Sequence, residues 1–394
     1  MERTEPAASE GSSAWPHALA TAAVVLLFAT LLGPLNSTPV VAVAALVAAG
    51  GVVRALSVHP AAVGRTIMLV VVIAAVVAVR AYYDPPVSEY GEDKWVRFCT
   101  LTLASMLAAT AFTSMRFLRV LAGWWVVTGV VLAAFALTGP MAATGRAQVD
   151  DSNPVWLGRA IGASLVIVLW LGARGVWRWR FPLVLIPVLG LGLLATGSRG
   201  PTVGAVLGAS VVLLLGTNGR SARYVWIVLL GVVGVLILPL VPGVQSSRIG
   251  QFVSAGNVNG EERNTLWTTA LQLIPDRPGG AGLGGWAKAS GTAFDWPHNL
   301  FLEVLVEQGW IVGTALIILV VGTLRRLLLR VGESPAVHLA LALLATETVH
   351  VSTSGDLNAR TFFFVLVLGV LWLNLSADQD PATVQDEQMA AAAG

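Results

Sequence analysis

Long stretches without one charged side chain dominate this sequence. Residues 181–198 carry none, and neither do 200–219 or 224–247. A helix needs about 20 apolar residues to cross roughly 30 Å of hydrocarbon. Of the 394 residues, 56% are hydrophobic and 12% charged, and the mean hydropathy is +0.76. A soluble domain cannot bury that share of apolar surface, so bilayer must be part of the solvent. The net charge of +2 is uninformative as a total, and no nucleic-acid partner is expected. Cys99 is the sole cysteine, which excludes an intramolecular disulfide and cysteine-built metal sites. No basic cluster precedes the first apolar run. With further spans after it, that run reads as a retained helix and not as a cleaved signal.

The expected fold class is all-α, a polytopic membrane protein of about twelve transmembrane helices. They fall near 15–33, 38–56, 65–83, 95–114, 117–138, 155–173, 181–197, 200–216, 224–243, 298–322, 335–352 and 359–376. The loops after even-numbered spans collect arginine: Arg65, Arg116 and Arg119, Arg174 to Arg180, Arg220 and Arg223, Arg325 to Arg330. Those after odd-numbered spans hold Asp84, Glu89, Glu92, Asp93, Asp150 and Asp151. Arginine-rich short loops stay in the cytoplasm, so both termini are expected inside. The organisation is then a cytoplasmic tail 1–14, spans one to nine in 15–243, a long external loop 244–297, spans ten to twelve in 298–376, and a disordered cytoplasmic tail 377–394.

A loop as long as 244–297 is usually functional. Within it, Leu266, Trp267, Ala270, Leu271 and Ile274 recur at helical spacing. This predicts an amphipathic helix over 260–275 at the membrane surface, with Asn259 as its cap. The strip from Pro278 to Trp286 is rich in glycine, and reads as a tight connector or a ligand contact.

Spans eight, ten and twelve enter from outside, so their N-termini face the exterior. A helix N-terminus offers unpaired N–H groups and about half a positive charge. Span eight opens at Ser198-Arg199-Gly-Pro201, with Ser198 suited to cap. Span ten opens at His298-Asn299 and span twelve near Arg360. Together these ends predict an anion-binding cluster. Arg199 has no acid near it in sequence, and an arginine at membrane depth implies a functional partner or snorkelling to the interface. Arg263 borders the apolar face of the amphipathic helix, pointing to the bundle or pairing with a loop acid. His298, disfavoured as a cation by the helix dipole and nearby arginines, suits a general base or a simple cap. Glu303 and Glu307 follow at helical spacing, either to orient His298 or as buried structural acids. His350, with Glu347 a turn earlier, is a weaker candidate. No zinc-type spacing or Walker loop is present.

Four stretches carry a resemblance: Gly197-Ser-Arg-Gly200, Glu262-Arg-Asn-Thr-Leu-Trp267, the glycine strip Pro278 to Trp286, and His298-Asn299 followed by Glu307-Gln-Gly309. In that order they resemble the O-antigen ligase and polymerase superfamily from Thr196 to about Leu375; earlier residues match only as generic spans. The second glycine, Gly313, comes one position later than in the usual ligase motif, which bears on ligase versus polymerase. The resemblance implies a metal-independent, inverting glycosyltransferase of the bacterial plasma membrane, needing no cofactor. Its donor would be a glycan on polyprenyl pyrophosphate, and its acceptor a hydroxyl of a lipid or growing glycan. It also implies that His298 acts on the acceptor while Arg199 and Arg263 hold the pyrophosphate. The anion-cluster reading adds Arg360 to these, with Ser198, Asn299 and Glu303 in support. The competing class is a lipid or glycan transporter, which would favour ionisable pairs at mid-membrane and repeat symmetry.

Overall fold

The computed structural model describes residues 14–31, 37–86, 88–139, 154–178, 180–216 and 258–378. Every regular element among them is helical. In chain order these are α1 (Ala14–Phe28, with a 3-10 turn Ala29–Leu31), α2 (Thr38–Val58), α3 (Pro60–Tyr83) and α4 (Glu89–Arg97). A π-turn, Phe98–Thr102, leads into α5 (Leu103–Ala109), and α6 (Met115–Thr138), α7 (Pro154–Ala173), α8 (Arg180–Ala195) and α9 (Arg199–Leu214) follow. The last six are α10 (Val258–Asp276), α11 (Trp286–Ser290), α12 (Leu300–Glu307), α13 (Trp310–Leu329), α14 (Pro335–Ser354) and α15 (Arg360–Asp378).

Among the described residues, eight helices are long and apolar enough to cross a membrane, and α8 and α9 are shorter apolar helices. The expected span 224–243 and the Asp150-Asp151 pair lie outside the described residues. Two expected spans take a different form. The one at 95–114 is assembled from α4, the π-turn and α5, and its first two turns are polar. The one at 298–322 is two helices, because Gly309 at φ +89° breaks the chain after α12 and the span itself begins at Trp310. A left-handed residue cannot continue an α-helix, and glycine adopts that conformation without steric cost.

Burial sorts the helices into two populations. In α7, 89% of the span is buried, and in α14, 78%, whereas α2, α3 and α13 fall between 22% and 28%. The outer helices present Leu46, Val53, Met68, Val71, Ile311 and Ile318 outward. Apolar side chains facing away from the protein are what lipid requires. The inner helices meet through small residues. Gly204 on α9 lies against the His350 ring of α14, and a Cβ there would collide with it. Such close approach allows dispersion packing where lipid removes the hydrophobic drive. Aromatic edges lock the centre, with Trp125 against Phe28 at 5.4 Å and against Phe364 at 6.1 Å.

The two ends of the bundle differ. At one end, Arg65 pairs with Asp378 at 2.5 Å, and Arg174 meets His338 at 2.9 Å. The other end gathers the starts of α7, α9 and α15, the last turn of α1, and the layer formed by α4, α10, α11 and α12. The apolar residues Leu266 and Ala270 of α10 are buried with Trp286 and Val306, so α10 docks on α11 and α12. Leu271, expected on that face, is exposed. Asn259 lies inside the first turn of α10, one residue after the helix start, and not at the cap.

Candidate functional site

His298 sits immediately before α12, where Asn299 is the N-cap. The Asn299 Oδ1 accepts from the backbone N–H of Phe301 (3.0 Å) and Leu302 (3.2 Å). This satisfies two of the orphan donors of the helix start and fixes the turn that carries the histidine. His298 itself has φ +54°, the only positive φ among described non-glycine residues. That conformation costs of order 1–3 kcal/mol and persists only where the surroundings impose it. The surroundings here are aromatic. Trp296 meets the imidazole edge-on at 4.8 Å and Phe294 at 5.6 Å, while the Trp267 indole N–H of α10 donates to the Pro297 carbonyl at 3.1 Å.

The His298 ring is partly buried, and its Nδ1 is a buried atom with no hydrogen-bond partner. Burial first, then the charges of Arg263 and Arg159, push its pKa down from 6.5 to about 4. Arg263, on α10, is lowered in turn by burial and by Arg199. Arg199 opens α9 and Arg263 lies in the second turn of α10, so two cations distant in sequence act on each other, and Arg263 in turn acts on His298. Ser198 occupies the N-cap position of α9 without a side-chain cap bond. The expected cap is replaced by a hydroxyl donated to the Pro154 carbonyl at 3.3 Å, which ties α9 to α7.

Arg159 is the cation that sequence reasoning missed. It lies in the second turn of α7, 6% exposed, and donates from Nη2 to the His350 carbonyl at 2.9 Å. Arg263, Glu347 and Asp356 are its charged neighbours. The rule that singled out Arg199, an arginine inside an apolar run, applies equally to Arg159. Beneath it, Glu347 contacts His350 Nδ1 at 3.2 Å and accepts from the Thr361 hydroxyl at 2.9 Å.

Arg360 belongs to a different set. It donates to the Leu26 carbonyl at 3.0 Å and to the Thr30 hydroxyl at 2.6 Å, and shares an open cleft with Arg97, Arg159 and Asp356. Glu303 is also placed elsewhere than beside His298. Glu303 and Glu307 both pair with Lys94 of α4, the latter at 2.7 Å, and all three side chains are buried. Burial opposes the Lys94 charge, but the two carboxylates outweigh it and raise the ammonium pKa. Burial raises that of Glu303 well above the carboxylate range, against the pull of Lys94 and with the push of Glu307.

The glycine strip is explained by this triad. Ala281 and Gly282 donate to the carbonyls of Val306 and Glu307, and Gly284 N–H donates to the Glu307 carboxylate at 3.1 Å. The strip thus closes the C-terminus of α12 and is a tight connector. A second line of contacts reaches His298 from α4. Tyr90 stacks on Trp296 at 5.4 Å and donates to Asp356 at 3.3 Å. Burial, followed by Asp356 and the nearby glutamates, raises its pKa, so the phenol remains a donor.

Fold and site together define a polytopic α-helical membrane protein. At one end of the bundle, Arg263 and Arg159 act electrostatically on the His298 ring. Residues 184–318 match a family profile described as O-antigen ligase, a stretch that includes Arg199, Arg263 and His298. Over that stretch the chain is similar to the O-antigen ligase family. No curated protein matches the chain.

Proposed function

We propose that this protein transfers a glycan from a polyprenyl-pyrophosphate donor to an acceptor hydroxyl, with inversion and without a metal ion. The observation that carries the reading is His298: held in a left-handed backbone conformation, kept neutral by burial and by Arg263 and Arg159, inside the stretch that matches the family. The acceptor oxygen attacks the anomeric carbon, and a new C–O bond forms as the bond to the pyrophosphate oxygen breaks. His298 takes the acceptor proton, and the electron pair leaves on the polyprenyl diphosphate. Arg199, Arg263 and the N-terminus of α9 stabilise the charge that develops there. Asn299 positions the histidine by capping α12.

The charge state of His298 fits this sequence of events. With the site empty, nearby cations depress its basicity. A bound diphosphate neutralises their field and raises the imidazole pKa when a proton has to be accepted. The arginine-rich loops belong to the end opposite this site, so the site faces the exterior of the plasma membrane.

The test is incubation of the purified chain with a polyprenyl-pyrophosphate glycan and candidate acceptors in the presence of a chelator. Product with inverted linkage is expected, and a ladder of repeat units would mark a polymerase. Arg199→Ala and Arg263→Ala should each lower turnover by about 100- to 1000-fold. Arg199→Lys should rescue poorly, because a point charge replaces a bidentate fork. Full activity of Arg199→Ala would overturn the scheme.

A further inference from the structure

The cleft shared by Arg97, Arg159 and Arg360 is not needed to hold the donor diphosphate if Arg199 and Arg263 do so. We infer that this cleft is a second anion subsite, which receives a phosphodiester carried by the acceptor. The inference rests on the proposed assignment of Arg199 and Arg263 to the donor.

Three observations support it. First, the arginines are fixed by only part of their donor sets. Arg97 grips Asp93 through Nε (2.9 Å) and Nη2 (2.7 Å), and Arg360 uses its two Nη atoms on Leu26 and Thr30. Arg159 uses Nη2 on the His350 carbonyl, while its Nε is buried without a partner. An arginine that is 6% exposed with an unsatisfied donor beside a cleft is an arrangement that a bound oxyanion completes. Second, the charge balance suits a single negative charge. Three arginines less Asp93 and Asp356 leave one net positive charge at the cleft. A diphosphate would be undercompensated there, and a phosphodiester would be matched. Third, the cleft is amphipathic. Leu27, Phe28 and Trp156 form an apolar wall beside the guanidinium groups, as a lipid-borne phosphate with an adjoining chain requires. Arg159 connects the two subsites, since both Arg263 and His298 feel its charge. Arg159 therefore acts on His298 from the cleft side.

A phosphodiester could also come from a resident bilayer lipid, and the experiment separates the two sources. The full-length protein in maltoside micelles, which carry no phosphate, is titrated calorimetrically with short-chain phosphatidylglycerol and, separately, with inorganic pyrophosphate. Arg97→Gln and Arg360→Gln should weaken phosphatidylglycerol binding by about tenfold or more and leave pyrophosphate binding unchanged. Arg199→Gln and Arg263→Gln should do the reverse. Arg97 is exposed and paired only with its own helix, so its variant retains the fold, which thermal unfolding verifies. In the transfer assay, phosphatidylglycerol should compete with the acceptor and not with the donor. Absence of phosphatidylglycerol binding to the wild-type protein, or equal losses for both ligands in all four variants, would overturn the second subsite. Binding without competition against the acceptor would assign the cleft to a structural lipid and overturn the acceptor role. Undiminished pyrophosphate binding by Arg199→Gln would instead refute the donor assignment, whatever the phosphatidylglycerol result.

Discussion

A histidine with a pKa of about 4 makes a clear kinetic statement. Its folded value lies below the ordinary 6.5, so the ring is neutral from about pH 4 upward and loses base function only as pH falls through that value. The acid limb of kcat/KM, which reports the free enzyme, should therefore lie near 4. The limb of kcat, which reports the loaded enzyme, should lie higher once the diphosphate has neutralised the arginines. Coincident limbs at 6.5 would contradict the environment described for His298. His298→Asn isolates the chemistry from the strain, because asparagine tolerates the left-handed region. It should keep thermal stability while transfer drops by at least about 100-fold, in line with the loss of a general base. At this scale the sequence singles out His298 and Arg263, and the structure gives Arg263 an electrostatic effect on the His298 ring. His298, Arg199 and Arg263 stand at helix starts or beside long apolar runs, where charge is conspicuous. Arg159 was equally conspicuous by that rule, but it lies inside a span, where no loop motif draws attention to it.

At the scale of elements, α12 is held from three sides, by α10, by the glycine strip and by α4. Lys94 is the centre of the third contact. Removing one partner of a buried ion pair leaves an uncompensated charge and typically costs about 3–5 kcal/mol. Lys94→Ala should therefore lower the unfolding temperature sharply and reduce transfer, although Lys94 touches neither substrate in the proposed scheme. Lys94→Met with Glu303→Gln and Glu307→Gln removes all three ionisable groups and should recover most of the lost stability in the same thermal assay. The sequence could not disclose this triad. Glu307 lies 213 residues from Lys94, whereas helical spacing offers His298 as the nearer partner. Tertiary contact between α4 and α12 decides the matter. Gly284 is a further checkpoint, at φ +71° with a Cβ that would overlap Gly91 of α4. Gly284→Ala should separate strip from helix, which increased proteolysis between Arg277 and Lys288 would reveal.

For the whole molecule, the bilayer explains why the fold was largely readable. A membrane allows only a narrow range of spanning segments, so composition alone locates most of them. The failures have local physical causes. A left-handed glycine split α12 from α13, and a polar first half made α4 a poor match to any apolar window. Helix lengths also bear on activity. Helices α8 and α9 have 16 residues each, so each is about 24 Å long at 1.5 Å per residue, some 6 Å less than the thickness of a typical hydrocarbon core. Transfer should thus be faster in lipids with shorter acyl chains than in long-chain lipids, a trend measurable in nanodiscs of graded thickness.

The short α8–α9 corner has a geometric consequence for any long-chain carrier. In the proposed scheme, a helix pair this short would bring Arg199, at its tip, below the level of the surrounding headgroups, and the leaflet would dip to meet it. In that scheme a carrier's anionic head would dock while its isoprene tail stayed dissolved in oil. No binding energy would then be needed to lift a greasy chain toward water.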